Sequence, residues 1–155
     1  MLPQNTHDDE SITIRLANWP GDAGVIRNVR RQVFIMEQQV PEELEWDHRD
    51  ADCEHALADL NGSVVATGRL LPDGHIGRMA VLKAWRGQHI GSAVLEFLIT
   101  RARHKGLTQV GLSSQIHALA FYQSHGFIAQ GPQYLEAGIL HQDMRKVLKR
   151  TALLE

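Results

Sequence analysis

Apolar and polar residues alternate over residues 12–16 (ITIRL), the period of a half-buried strand, until Pro20-Gly21-Asp22 breaks the run. Val25, Ile26, Val29, Val33 and Phe34 then recur at helical spacing and predict a first helix. From Val40 to Asp52 the chain is acidic and carries Pro41, which reads as a loop or short helix. Segments 56–60 and 64–71 flank Asn61-Gly62, the strongest short signal for a hairpin turn. Pro72-Asp73-Gly74 turns the chain into a further strand ending at Leu82. A second periodic run, Ile90, Ala93, Val94, Phe97 and Leu98, predicts a long helix closed by Gly106. Strands over 107–112, 127–129 and 139–147 and a helix over 115–125 complete the order β-α-β-β-β-α-β-α-β-β. The pattern is that of one mixed α/β domain over 1–155, with antiparallel hairpins in its middle and a loose segment over 1–10.

Composition narrows the function classes. A content of 43% apolar and 22% charged residues is that of an ordinary soluble globule, and 155 residues suffice for one core. A net charge of −2 supplies no overall basic field to draw nucleic acid or an anionic membrane. No apolar run approaches the roughly eighteen residues that span a bilayer, and the start MLPQNTHDDE lacks the pattern of a signal peptide. The single cysteine, Cys53, fits a reducing compartment, so a cytoplasmic protein is expected. None of the nine histidines shows metal-ligating helix spacing, and no metal is expected. Cys53 and His55 share a strand face, but no third orienting group is evident, which favours a structural cysteine over a nucleophile.

The densest chemistry lies between the two central elements. The apolar run from Met79 to Leu82 leads into Arg86-Gly87-Gln88-His89-Ile90-Gly91-Ser92, which opens the long helix. Such a turn gathers unpaired backbone N–H groups at the positive end of a helix dipole, an arrangement suited to a diphosphate. Neither a P-loop lysine nor a G-x-G-x-x-G fingerprint is present. On spacing alone, an ordinary strand-to-helix turn reads equally well.

Three separated motifs, in order, decide between those readings. Residues 86–91 resemble the coenzyme A signature Q/R-x-x-G-x-G/A of the GNAT superfamily of N-acetyltransferases, with Arg86 first, Gly91 last and His89 at the usual middle glycine. Residues 115–127, QIHALAFYQSHGF, are similar to the family's N-x-x-A-x-x-F-Y-x-x-x-G-F helix, with Gln115 for Asn. VFIMEQ at 33–38 and YLEAGILH at 134–141 resemble the small bacterial ElaA-like branch. The resemblance runs from about Ile12 to Met144 and implies a GNAT-like fold, a largely antiparallel central sheet flanked by helices.

The resemblance also implies roles. Acetyl-CoA is the expected co-substrate, its pantetheine arm along the backbone of Met79, Ala80 and Val81 and its diphosphate on the turn of Arg86, Gly87, Gln88, His89, Ile90, Gly91 and Ser92. Gln115 is expected to bond the arm, and Tyr122 to act as general acid toward the departing thiolate. Glu37 is the candidate base. Seven acids between Glu37 and Asp52, Asp47 among them, read either as a rim attracting a cationic amine or as a solvated loop. Trp46 would wall the acceptor pocket or anchor the loop, and His141 would face that pocket or serve as a structural strand histidine. The expected activity is acetyl transfer to a primary amine, small molecule or peptide, by direct attack in a ternary complex. The alternative is a non-catalytic acyl-CoA-binding sensor or interaction module. No nucleic acid or membrane partner is expected, and a homodimer is left open.

Overall fold

Two antiparallel sheets meet at a single point. The computed structural model describes residues 11–149, so the expected loose segment over 1–10 lies outside the described residues. Strands β1 (Ile12–Leu16), β2 (Glu54–Leu60), β3 (Ser63–Leu70) and β4 (Ile76–Val81) lie side by side in sequence order. Strands β5 (Gln109–Gln115), β6 (Ile128–Glu136) and β7 (Ile139–Val147) form the second sheet in the order β5-β7-β6. Between β4 and β5 the described link is one parallel bridge, His75 with Gly111, where the Gly111 N–H donates to the Gly74 carbonyl at 3.1 Å. Beyond that bridge the facing edges of β4 and β5 are unpaired.

The split has a local cause. Thr67 pairs with Ala80 and Arg69 with Gly77, so Gly68 faces one residue too many on β4. Arg78 absorbs the excess as a bulge at φ +52°, an unusual conformation for a residue with a Cβ. Helix α3 (Ile90–His104) covers one face of the first sheet with buried Val94, Leu95, Leu98 and Ile99. Helix α1 (Ala23–Arg30) covers the other face with Ile26 and Val29, and Val29 packs with Val33 and Ala80. It runs on into a π-helical turn, Arg31–Glu37, where the periodicity had predicted ordinary helix. A Cβ on Gly68 would lie 2.7 Å from Met79 Sδ, 2.9 Å from Leu98 Cδ1 and 3.0 Å from Val94 Cγ1, so glycine is what lets α3 seat opposite the bulge.

The acidic stretch is divided between exposed Glu42, Glu43 and Asp52 and inward-facing Glu45, Asp47 and Asp50. Glu45 and Asp50 are buried, and the segment holding them contains one short α-helix, α2 (Glu42–Glu45), and a 3-10 turn, Asp50–Asp52. Arg30, with no exposed surface, donates to Glu45 at 2.6 Å and to Asp50 at 2.8 Å. Arg69 bonds Asp47 at 2.8 Å and Asp50 at 2.9 Å. The bulge residue Arg78 reaches Glu45 and Asp47, each at 3.3 Å. Three guanidinium groups thus neutralise three carboxylates beneath the surface. Burial opposes ionisation of Asp47 and Asp50, but bonds from Arg69 and Arg30 outweigh it and hold both below the ordinary carboxylate range. Burial pushes Glu45 the other way, above its ordinary value, despite Arg30 and Arg78.

Two elements differ in extent from the pattern-based reading. β6 runs nine residues instead of the expected three at 127–129. Gln115 ends β5 rather than starting a helix; a 3-10 turn, Ile116–Ala118, separates it from the short helix α4 (Leu119–Gln123).

Gly68→Ala is expected to destabilise the fold by about 1–3 kcal/mol, because Val94 and Leu98 belong to a packed helix face that cannot retreat freely. Thermal melts should show a drop of a few degrees or more. Arg30→Met should cost about 3–5 kcal/mol by stranding two buried carboxylates. For pH, the depressed Asp47 and Asp50 give stability that is complete above the ordinary aspartate value and lost as pH falls through their lowered values. The raised Glu45 acts in the opposite sense, since protonation relieves its burial. Urea midpoints should therefore hold from neutral pH to about 5 and fall below about 4.

Candidate active site

The parted edges of β4 and β5 open a cleft of about 820 Å³. Its walls come from the π-helical turn, the β4 bulge, the first turn of α3, the end of β5, helix α4 and the β6–β7 turn. Met79, Ala80 and Val81 line it with a strand edge to which no described strand pairs. An open edge of this kind offers alternating N–H and C=O groups to an extended ligand arm.

At the floor, the chain passes from a 3-10 turn, Lys83–Trp85, through Gly87 at φ +81° and His89 at φ +64° into α3. His89 thus takes the left-handed conformation that a glycine adopts most easily. No side chain caps α3 and its first turn holds no acid, so the N–H groups of Ile90, Gly91 and Ser92 have no intrahelical acceptor. A Cβ on Gly91 would sit 3.6 Å from Val81 and 3.7 Å from Phe121, enough for a methyl but not for a branched side chain. The Ser92 hydroxyl is 3.0 Å from His125 Nε2, and His125 Nδ1 is 2.6 Å from Glu96. This Ser92–His125–Glu96 chain was not anticipated. Its only signal in the sequence is that Glu96 follows Ser92 by four residues on one helix face.

Arg86, which lines the cleft, and Glu37 bind each other. The Arg86 guanidinium forks onto Glu37 at 2.6 and 2.7 Å while its Nε donates to the Val81 carbonyl at 2.9 Å. It therefore ties the π-helical turn to the end of β4. The hydrogen bonds from Arg86 hold the Glu37 carboxyl below its ordinary value, which is the wrong direction for a base. Glu37 also faces a shallow dent beside Gln32, Met36 and Lys83, outside the main cleft.

Gln115 does line the cleft, and its amide pairs with Gln38, Nε2 donating to Oε1 at 2.8 Å. That pair links β5 to the residue following the π-helical turn. Tyr122 meets Phe121 and Phe127 edge-on, at 5.0 and 5.9 Å between centroids, and its hydroxyl bonds no described residue. Burial pushes the phenol up to about 12.

Trp46 and Asp47 are absent from the cleft lining. The Trp46 ring lies under the Arg30 and Arg31 guanidinium groups, at 5.2 and 5.6 Å, and its indole N–H donates to Glu42. Of the expected acceptor residues, His141 lines the cleft, joined by Glu136, Ser113 and Arg78. Cys53 donates to the Arg49 carbonyl and His55 bonds the Asp50 carbonyl, so they form no nucleophile–base pair. Among the described residues no cluster of His, Cys, Asp and Glu could hold a metal ion, and no helix is long and apolar enough to cross a membrane.

Known proteins share this architecture. Residues 5–148 match the family model described as an acetyltransferase (GNAT) domain. The uncharacterized N-acetyltransferase YjcF of Bacillus subtilis is 34% identical over 122 residues, covering 76% of this chain and 87% of that protein. ElaA of Escherichia coli is 34% identical over 126 residues, covering 76% and 82%. The crystal structure of ElaA superposes with a TM-score of 0.78 at 30% identity, over 88% of this chain and 99% of that one. An acyl-CoA N-acyltransferase from Pseudomonas aeruginosa superposes with a TM-score of 0.80 at 32% identity, over 88% and 99%. An α3 N-terminus with open N–H groups, an unpaired strand edge beside it and a match along nearly the whole sequence place this chain in the GNAT family, as an acyl-CoA-dependent N-acetyltransferase of the small ElaA-like branch.

Proposed function

We propose that the protein transfers the acetyl group of acetyl-CoA to a primary amine by direct attack in a ternary complex. The observation that carries this reading is the Tyr122 hydroxyl, which bonds no described residue, on the same cleft as the α3 N-terminus. The thioester supplies an activated acetyl group; the chain supplies position and proton control. The N–H groups of Ile90, Gly91 and Ser92 suit the diphosphate, with the Ser92 hydroxyl steadied by His125. The β4 edge from Met79 to Val81 suits the pantetheine amides, and the Gln115–Gln38 pair borders the arm's path. Arg86 contributes by bracing the turn against Glu37 rather than by offering a free cation.

Tyr122 suits the departing sulfur. Its value of about 12 lies some 3.5 units above an ordinary thiol, so full proton transfer costs about 5 kcal/mol. A hydrogen bond that strengthens as negative charge grows on sulfur avoids that cost. A binding-only module would leave such a donor without a task. The acceptor is not drawn by the acidic segment, whose buried members are neutralised internally. The exposed Glu136 on the cleft wall is the carboxylate placed to meet a cationic amine. A screen for CoA release against polyamines, amino sugars, amino acids and peptides tests the reading, and CoA binding with no turnover on any of them would favour the sensor module.

His89→Gly should remove left-handed strain and stabilise the fold by up to about 1 kcal/mol. Because the backbone and not the imidazole meets the diphosphate, acetyl-CoA affinity should stay within about threefold, below ~0.7 kcal/mol. Calorimetric titration beside a thermal melt reads both. Tyr122→Phe keeps the ring packing and removes the proton. It should leave acetyl-CoA affinity nearly unchanged and lower kcat and kcat/KM together by roughly 100-fold. An unchanged kcat, with chemistry limiting, would make Tyr122 a packing residue.

A further inference from the structure

We propose that His141 is the proton acceptor of the reaction, taking one proton from the acceptor's ammonium group through Nε2. This rests on the acetyl-transfer reading above and supplies the base left vacant once Glu37 is found bound to Arg86.

The position of His141 is fixed by the second sheet. It lies on the central strand β7, opposite Gln115 on β5 and Tyr134 on β6, and its side chain lines the cleft although the residue is only 7% exposed. Nδ1 lies 2.6 Å from the Ile139 carbonyl. A carbonyl oxygen only accepts, so Nδ1 carries the hydrogen and the neutral ring keeps its lone pair on Nε2. The ring stacks on Tyr134, with centroids 6.0 Å apart and planes at 20°. Tyr134 is itself held, donating to Asp143 at 2.6 Å and bonded to the Ser113 hydroxyl. Edge and face of the imidazole are therefore fixed, and Nε2 has no partner among the described residues.

The other titratable groups of the cleft are less suited. Glu45 is bound by Arg30 and Arg78, and Tyr122 holds its proton. His89 and His117 also line the cleft, but both are exposed and neither ring bonds a described residue. Glu136 is free, but its carboxylate faces solvent at the wall.

The steps balance. The ammonium gives one proton to Nε2, and the freed lone pair attacks the thioester carbonyl carbon, forming the C–N bond. The C–S bond breaks and its electron pair leaves on sulfur, where the hydrogen bond from the Tyr122 hydroxyl stabilises the growing charge. The nitrogen's surplus proton neutralises the thiolate, and the imidazolium releases its proton to solvent beside Glu136. The net products are amide, thiol and one proton.

The test uses the best acceptor from the amine screen. His141→Gln should lower kcat/KM by roughly 100-fold and abolish the imidazole limb of its pH profile, while acetyl-CoA affinity is retained. In His141→Ala, free imidazole in the buffer should restore part of the lost rate, which a merely structural role would not allow. Nitrogen NMR of the wild-type protein should show the Nδ1–H tautomer. The inference is overturned if His141→Gln keeps its rate and limb, if imidazole fails to rescue a folded His141→Ala, or if the tautomer is Nε2–H. Acetyl-CoA binding with no acetylation of any amine overturns the transfer reading and this inference with it; an active wild type with an indifferent His141→Gln overturns this inference alone.

Discussion

The bulge at Arg78 is the constraint on which the rest of the molecule depends. One extra residue on β4 turns the strand away from β5 after the His75–Gly111 bridge, and the gap that follows is the cleft. A continuous sheet would have satisfied those edge groups internally and left nowhere for an extended arm. Two features hold the bulge. Gly68 yields the space opposite it to Met79, Val94 and Leu98. The guanidinium of Arg78 is carried into the carboxylates of Glu45 and Asp47, so a left-handed backbone and a side-chain ion network stabilise one another.

That coupling explains why Glu45, Asp47 and Asp50 turn inward. Arg30 arrives from α1, Arg69 from β3 and Arg78 from β4, and the segment around Glu45, Asp47 and Asp50 closes over all three. Buried pairs of this kind add little net stability over an apolar filling, but losing one partner is severe. Their contribution is to fix where the segment sits, and with it the Leu44 and Glu45 wall of the cleft. A second set of bonds does the same for the neighbouring wall: Arg86 with Glu37, and Gln38 with Gln115, tie the π-helical turn to β4 and β5. The charges along the cleft wall thus set its shape first, and the N–H groups at the start of α3 are left without intrahelical acceptors.

Much of this was legible in the sequence, for reasons that are local. Alternation over residues 12–16, Asn61-Gly62, and the run Ile90, Ala93, Val94, Phe97 and Leu98 report strand, hairpin and helix through near-neighbour geometry alone. The turn over 86–92 and the segment 115–127 pointed to the family because each carries its motif residues at fixed short-range spacing. His89 stands where that motif usually has its middle glycine, and it takes the left-handed conformation there.

Pairings across long sequence separation were decided only by the tertiary structure. Nothing near Glu37 marks Arg86, 49 positions away, as its partner, and without that bond an acid at a helix end reads as a base. Glu45, Asp47 and Asp50 look like solvent-facing charge until three arginines from three elements converge on them. His141 shows the same limit from the other side: its strand was predicted, but the Ile139 carbonyl, the Tyr134 ring and the open cleft at Nε2 exist only once β5, β6 and β7 lie in register. Periodicity along a chain fixes which face a residue takes; the charge state and task of a side chain depend on what the fold brings opposite it.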